Sequence, residues 1–343
     1  MNKKNIEFRK SLIYFCKGFI VQVILISVTI IGCNDISNYS GHYYVTVGPN
    51  PAYIMDIDHS EHAVSFRLLN KEIDVSGTGT VDDNRMELSG EISGIGLILL
   101  HMEFSDDDIN FSGTWEFASG TPMTGTVTGS QDAWVTYDVE NDGVPQFANS
   151  NCIDLDKIDR ISRFRSGEGH DYSDDFEDCR SMKHYFHPKN GVNKSTVKLY
   201  SPVNGTIIGW ADEWEGNTLW KGTVVGIQPD GLDAFSITIY HINLNSHFKI
   251  GNRVTSGQEL GHSEKKSGTV SDIAIWVHSP YGNKLISYFE VMTEDIFQMY
   301  QIRGIFSREQ TIISKANRDN DPLQCVNGQF VDRGNLENWV YLD

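Results

Sequence analysis

The chain has 343 residues, of which 39% are apolar, and it carries a formal net charge of −18 at neutral pH. This length and apolar content are enough for two packed domains and exclude a disordered protein. The negative charge repels nucleic acid and anionic lipid headgroups, so we expect no nucleic-acid partner. Cationic partners, divalent ions or a solvated acidic surface fit the charge better.

The first 32 residues have the order of a secretory signal. Several basic residues precede an apolar run over positions 19–31, and a small residue, Gly32, stands before Cys33. The end of this segment, "IIGC", resembles a bacterial lipoprotein signal, which implies removal of residues 1–32 and acylation of Cys33. Asn34 is not the aspartate that often marks inner-membrane retention, which favours the outer membrane or cell surface. A retained transmembrane helix is the alternative, although the apolar run is near the short end of a span.

Residues 38–135 read as one antiparallel β domain. Short segments of alternating apolar and polar residues follow one another, separated by turn residues about every ten positions, and no helical period appears. This pattern predicts an antiparallel meander closed into a small barrel or sandwich. The meander loosely resembles lipocalin-like and avidin-like proteins, which would give this domain a ligand-binding role.

Residues 136–151 are polar, contain glycine and proline, and are predicted to form a linker. The region 152–343 then contains several segments typical of strands, among them "FSITIYHINL" and "SDIAIWVHS". Helical spacing appears in "DDFEDCRSMKHYF" and again in "LISYFEVMTEDIFQMYQIRGIF", where the helix is expected to end near Gly304. The predicted fold is therefore mainly β with a few helices, the last of them in a C-terminal extension.

Three cysteines remain in the mature chain if Cys33 is acylated. They are Cys152, Cys179 and Cys325. An oxidising compartment then favours one disulfide and one free thiol. Because Cys152 and Cys325 lie near the two ends of the second region, we expect them to pair and Cys179 to stay reduced.

The segment "GEGHDYSDDFEDCRSMKHYF" contains the material of a metal site. His170 and Asp174 are four residues apart, so on a helix or a strand their side chains leave from the same face. A histidine nitrogen and a carboxylate oxygen suit zinc or another divalent ion, but a stable site needs at least one further protein ligand. The sequence thus predicts His170 and Asp174 as two metal ligands.

Three segments carry a resemblance to a known family. "LYSPVNGTIIGW", "ITIYHINL" and "KIGNRVTSGQELGHS" are similar, in sequence and in order, to segments of the lysostaphin-type zinc endopeptidases, which have the duplicated hybrid motif fold and cut peptide crosslinks in bacterial cell walls. The resemblance implies that residues 152–343 form a metallopeptidase-like β domain. It also implies that His170 and Asp174 hold zinc and that His241 and Asp272 stand at catalytic positions.

The resemblance fails on the strand "SDIAIWV". The family has an H-x-H motif there, whereas this chain has Asp272 at the first histidine and Ala274 at the third metal ligand. A methyl group cannot coordinate a metal, and a site with one of three protein ligands missing is usually too weak to hold zinc.

Three hypotheses of function follow. In the first, the domain is degenerate and non-catalytic, and binds cell-wall peptide, glycan or an envelope protein. In the second, it is an active cell-wall metallopeptidase, in which Asp272, His184 or Cys179 joins His170 and Asp174 in a rearranged site. A histidine with two carboxylates would favour an ion harder than zinc, such as manganese or calcium. In the third, the N-terminal β domain binds a small ligand and the second domain is a scaffold.

Overall fold

The computed structural model describes the chain from residue 37 to residue 343, apart from positions 61–62, 71–72, 94, 119–122, 216–218 and 265–267. The predicted signal segment and the predicted lipidation site at Cys33 lie outside the described residues. Within the described part of the chain, no helix has the length and apolar character needed to cross a membrane.

Eight antiparallel strands form a closed barrel in the N-terminal half. Each strand pairs with the next, and the last pairs back with the first, with Tyr44 opposite Ser130. The predicted antiparallel barrel is confirmed. Its strands are β1 Gly41–Val47, β2 Asn50–Ser60, β3 Ala63–Leu69, β4 Asp74–Asp82, β5 Arg85–Ile92, β6 Gly96–Phe104, β7 Asn110–Phe117 and β8 Thr124–Ser130.

The barrel forms because its sequence alternates with period two. Along β3, buried and exposed side chains alternate from Ala63 onwards, so one face of the strand points inward. Large side chains from several strands fill the interior, among them Tyr43, Met55, Met86 and Leu100, all fully buried. An eight-stranded barrel is just wide enough to be filled in this way.

The second region is also built mainly of strands. They are β9 Ile158–Ser162, β10 His184–Pro188, β11 Lys198–Tyr200, β12 Gly205–Glu215, β13 Leu219–Pro229, β14 Phe235–Leu244, β15 Arg253–Val254, β16 Glu259–Ser263, β17 Ser271–Ser279, β18 Gly282–Ile286, β19 Gln324–Val326, β20 Gln329–Asp332 and β21 Trp339–Tyr341. At its centre, β14 pairs with β13 on one side and with β17 and β16 on the other. The first residues of β17 also pair with β10, and its last residues pair with β18.

The described fold also contains four short α-helices: α1 Val139–Asp142, α2 Tyr288–Val291, α3 Glu294–Gln301 and α4 Lys315–Asn320. Helix α1 lies in the predicted linker, which packs on the second region, since the backbone N–H of Phe147 donates to the carbonyl of Val291. The barrel meets the second region where Gly125 of β8 pairs with Ala211 of β12. The predicted domain boundaries stay a prediction.

The predicted helix over "DDFEDCRSMKHYF" is wrong. Its first part is a series of turns, and its last residues belong to strand β10. Asp174 accepts hydrogen bonds from the backbone N–H groups of Phe176 and Glu177, which offers the chain a turn in place of a helix. Cys179 has φ of +53°, a left-handed conformation that cannot continue an α-helix.

The predicted long C-terminal helix is interrupted. Leu285 and Ile286 belong to β18, and Ser287 then starts α2 with a capping box to Glu290. Helix α2 stops at Met292, which is extended, and α3 begins two residues later. The described chain turns at Gly304, which has φ of +92°.

The predicted Cys152–Cys325 disulfide is also wrong. Cys179 is bonded to Cys325, with the two Cα atoms 5.7 Å apart, and Cys152 is a free, buried thiol. Cys152 packs in the apolar core, where burial raises the pKa of its thiol to about 12. The disulfide instead joins the segment after His170 to the β19–β20 hairpin, whose Gly328 carbonyl accepts a hydrogen bond from the backbone of Asp171.

Candidate functional site

His241 occupies a bulge in β14. The pairing of β13 with β14 shifts register between Thr223 and Val225, and His241 has φ of +60°. Bulges of this kind redirect a side chain, and a non-glycine residue in the left-handed region is strained unless its surroundings hold it. Opposite the bulge, a Cβ on Gly222 would lie 2.8 Å from the carbonyl carbon of His241, so glycine is required there.

The His241 ring lies between two carboxylates. Its Nδ1 is 3.0 Å from Oε2 of Glu213, and its Nε2 is 3.1 Å from Oδ1 of Asp272. The backbone N–H of His241 also donates to Glu213, at 2.7 Å. Burial by itself would lower the pKa of His241, but the charge of Asp272 and the hydrogen bonds to both carboxylates outweigh it, so the pKa is raised. The doubly protonated imidazolium is the form that suits this position.

A lysine completes the network. Nζ of Lys183 is 2.7 Å from Oδ2 of Asp272, and the two side chains are only 3% and 0% exposed. Burial opposes the charge of Lys183, but the neighbouring Asp272 carboxylate more than compensates and raises its pKa. Lys183 is therefore a buried, charged ammonium paired with a buried carboxylate.

Three tyrosine rings surround this ammonium. Nζ of Lys183 lies 4.4, 5.2 and 4.0 Å from the ring centroids of Tyr172, Tyr185 and Tyr240. The hydroxyl of Tyr240 donates to that of Tyr172 at 2.5 Å, and Nε1 of Trp276 donates to the same oxygen at 3.0 Å. Cation–π attraction is strongest where water is excluded, so this cage adds to the stabilisation of the lysine charge.

His170 lies at the edge of the same network. Its Nδ1 is 2.7 Å from the carbonyl oxygen of Asp171, to which it donates as a neutral ring. Burial lowers the pKa of His170, and the charge of Lys183 lowers it further, whereas Asp272 acts in the opposite direction. A Cβ at the preceding Gly169 would lie 2.1 Å from the hydroxyl of Tyr185, so this close approach requires glycine.

Asp174 has a structural role in the turn that follows. Its Oδ1 accepts from the backbone N–H groups of Phe176 and Glu177, and its Oδ2 accepts from that of Leu285 in β18. Burial is the main cause of its raised pKa. The structure thus brings together His170, His241 and Asp272, while both oxygens of Asp174 are engaged by backbone donors.

The residues present do not fit a zinc ion. Ala274, buried two residues after Asp272 on the same face of β17, offers only a methyl group and no atom that could coordinate a metal. Among residues 37–343, outside the gaps given above, no group of three or more histidine, cysteine or acidic side chains is arranged to hold a metal. The carboxylate of Asp272 already neutralises the Lys183 ammonium.

Two further residues proposed for a rearranged site are engaged elsewhere. Cys179 is in the disulfide, and His184 is bonded through Nδ1 to the Ser162 carbonyl and through Nε2 to the Ser287 hydroxyl, both at 2.8 Å. Sequence reasoning missed Lys183 and Glu213 as members of the network. A lysine is almost never fully buried unless it is paired with an acidic side chain. The burial of Lys183 could therefore be predicted only if its carboxylate partner were already known.

Comparisons with known proteins do not identify a family for this chain. No protein-family model matches the chain, and no curated protein matches it. Among solved structures, a zinc-containing peptidase from Vibrio cholerae matches at 13% sequence identity with a TM-score of 0.29, over 75% of this chain and 86% of that one. A TM-score this low is insufficient to transfer a fold, an activity or a ligand.

Proposed function

We propose that this chain is a non-catalytic binding protein of the bacterial cell envelope, built on a degenerate peptidase-like domain. The observation that carries this proposal is the buried pair of Lys183 and Asp272, 2.7 Å apart. In the lysostaphin-type enzymes that the sequence resembles, the corresponding strand supplies metal-site histidines. Here an aspartate stands at the first of those positions, and an ammonium group supplies the positive charge.

The charges of the network balance without a metal. Lys183 and the imidazolium of His241 carry two positive charges, and Asp272 and Glu213 carry two negative ones. A divalent cation bound to Asp272 would compete with the ammonium for the same carboxylate. At an effective dielectric constant of about 20, two like unit charges about 4 Å apart repel by about 4 kcal/mol, and a divalent ion doubles this. Metal binding would therefore require the lysine to leave or to lose its proton.

The ligand in this proposal is cell-wall peptide or glycan, or an envelope protein. The strand segments that resemble cell-wall endopeptidases support a cell-wall ligand, and the signal-like N-terminus supports an extracytoplasmic, lipid-anchored protein acylated on Cys33. The net charge of −18 argues against nucleic acid.

The other two hypotheses have less support. A rearranged metallopeptidase would need ligands beyond His170 and Asp272, and Cys179 and His184 have other partners. A small ligand inside the barrel would have to displace buried side chains such as Met86 and Leu100.

Hydrolysis of crosslinked peptidoglycan tests the proposal. The purified full-length chain would be incubated with crosslinked peptidoglycan and zinc, manganese or calcium, and new amino groups counted against an active lysostaphin-type enzyme. We expect no release by the wild type. The matched variants are His170→Ala, in the network, and His42→Ala, exposed on the barrel wall. Release that is lost in His170→Ala but kept in His42→Ala would overturn the non-catalytic assignment.

A further inference from the structure

Two neighbouring cavities lie where the barrel meets the second region. Their volumes are about 280 and about 680 Å³, and Ile250 lines both. The outer wall of the barrel forms one side, through β1, β7 and β8, and strands β12 to β14 with the loop after β14 form the other. We call the pair the junction groove, defined by Trp134, Trp210, Ser236, Phe248, Ile250 and His278.

The lining of the junction groove is mostly apolar surface that carries hydroxyl groups, and it is almost uncharged. Four serine or threonine residues line the smaller cavity and five line the larger. Among the described residues, each cavity is lined by one aspartate, glutamate, lysine or arginine, namely Asp233 in the smaller and Lys249 in the larger. In a chain with 22% charged residues, such a lining favours a ligand that offers hydroxyl and amide groups rather than ionic ones.

Aromatic rings stand among these hydroxyl groups. Trp134 is half-buried and stacks on His278, with ring centroids 4.4 Å apart and planes inclined by 10°. Burial lowers the pKa of His278, which favours the neutral ring. Trp210 and Phe248 line the larger cavity. Flat ring faces beside hydrogen-bonding groups are the combination that recognises sugar rings, whose C–H faces are apolar and whose edges carry hydroxyls.

Ser236 gives a second, independent indication. Ser236 lines the smaller cavity and is only 3% exposed, yet its Oγ has no hydrogen-bond partner among the described residues. Buried hydroxyls are nearly always hydrogen-bonded, so one without a protein partner calls for a ligand or an ordered water. The Oγ itself is almost inaccessible, so a ligand hydroxyl in the cavity would satisfy it once the serine side chain rotates toward the cavity.

We propose that the junction groove binds a neutral oligosaccharide, with sugar rings packed against Trp134 and Trp210 and a sugar hydroxyl bonded to Ser236. This inference rests on the proposed binding function, to which it adds a location away from Lys183 and a ligand class. A cell-wall stem peptide, with its free carboxylates, fits an almost uncharged lining less well.

Calorimetric titration of the full-length chain with tetra-N-acetylchitotetraose, a neutral oligosaccharide, tests this inference. We expect saturable binding that weakens about tenfold in Trp134→Ala, since one stacking contact is worth about that factor. The matched control, Trp339→Ala, removes a half-buried tryptophan that packs on Arg160 outside the groove, and should bind as the wild type does. No binding by the wild type, or equal binding by Trp134→Ala, would overturn the proposal.

Two serine variants separate an effect on binding from an effect on folding. Ser236→Ala removes a hydroxyl without an internal partner, so the melting temperature should not fall while oligosaccharide affinity drops several-fold. Ser271→Ala removes a buried hydroxyl that donates to the Tyr240 carbonyl at 2.7 Å, so it should lower the melting temperature and leave affinity unchanged. Full affinity in Ser236→Ala contradicts the assigned contact.

The two proposals can fail separately. Binding of a cell-wall stem peptide, in place of the oligosaccharide, in a manner sensitive to Trp134→Ala would overturn the ligand class but leave a non-catalytic binding protein. Peptidoglycan hydrolysis lost in His170→Ala would overturn the non-catalytic function, whatever the titration shows.

Discussion

The barrel and the second region differ in how many polar side chains they bury. Among the described residues and apart from tyrosines, Thr126 is the only buried polar side chain before position 150. Eighteen others lie beyond it, and five of these are acidic or basic: Asp174, Glu177, Lys183, Asp272 and Arg318. The barrel interior is apolar and its ion pairs, such as Arg67 with Asp74, lie outside. The second region instead places Lys183, Asp272 and His184 in its interior.

This difference means that the two regions are stabilised in different ways. An apolar interior needs only the right size and alternation, and it tolerates many substitutions. Buried charges are stable only with their particular partners, because removing one partner leaves the other uncompensated. We therefore expect the second region, and not the barrel, to depend on single polar residues and on pH.

The largest effect is expected from Lys183→Met. It leaves Asp272 buried without its ammonium, which should lower the free energy of unfolding by about 3–5 kcal/mol in urea titrations. The matched control is Lys198→Met, which breaks the exposed pair with Glu259 and should leave the free energy of unfolding nearly unchanged. Adding Asp272→Leu to Lys183→Met should restore much of the loss. If Lys183→Met is as stable as the control, the pair has no role in stability.

A smaller effect is expected from the disulfide. Cys325→Ser removes a bond between residues 146 positions apart and should destabilise the second region by about 2–4 kcal/mol. Cys152→Ser, at the free thiol, is the comparison that separates loss of the bond from loss of a sulfur atom. Mapping of non-reduced peptides should find Cys179 joined to Cys325. A link from Cys152 to either of them would contradict the structure.

A pH effect should also distinguish the two regions. Burial lowers the pKa of His184 from 6.5 to about 4. Between these two pH values, His184 is therefore protonated in the unfolded chain but neutral in the folded chain. Stability should therefore fall by up to about 3 kcal/mol as the pH drops from about 6.5 to about 4. Hydrogen exchange followed by mass spectrometry would localise this loss to the second region. In His184→Gln the loss should shrink, and an unchanged pH profile would argue against this origin.

The smallest effect is expected on the barrel wall. Arg67 and Asp74 form an ion pair with side chains 55% and 58% exposed, so water and salt screen it. Arg67→Ala should leave the free energy of unfolding nearly unchanged. A loss as large as that of Lys183→Met would remove the contrast between the regions.

The barrel could be predicted from the sequence because the pattern that determines it is local. Alternation along each strand and turn residues between strands determine the meander without reference to distant residues. The segment 174–186 could not be read in this way, because its helical spacing is overridden by the Asp174 turn and by pairing of β10 with β17. Tertiary contacts of this kind routinely outweigh local propensity.

The site was predictable only in part. Motif positions pointed to His170, His241 and Asp272, which do lie in one network. The place of Lys183 in the network could not be predicted, because nothing in the neighbouring sequence indicates that the distant Asp272 is its partner. Asp174 carries no local sign that Leu285 would engage its carboxylate.

Metal content tests the central claim most directly. The full-length chain would be purified, equilibrated with zinc, dialysed and analysed by inductively coupled plasma mass spectrometry beside His170→Ala. If the Lys183 ammonium supplies the positive charge of the site, zinc should stay far below one ion per chain and be the same in both proteins. One zinc per chain in the wild type, lost in His170→Ala, would contradict the account.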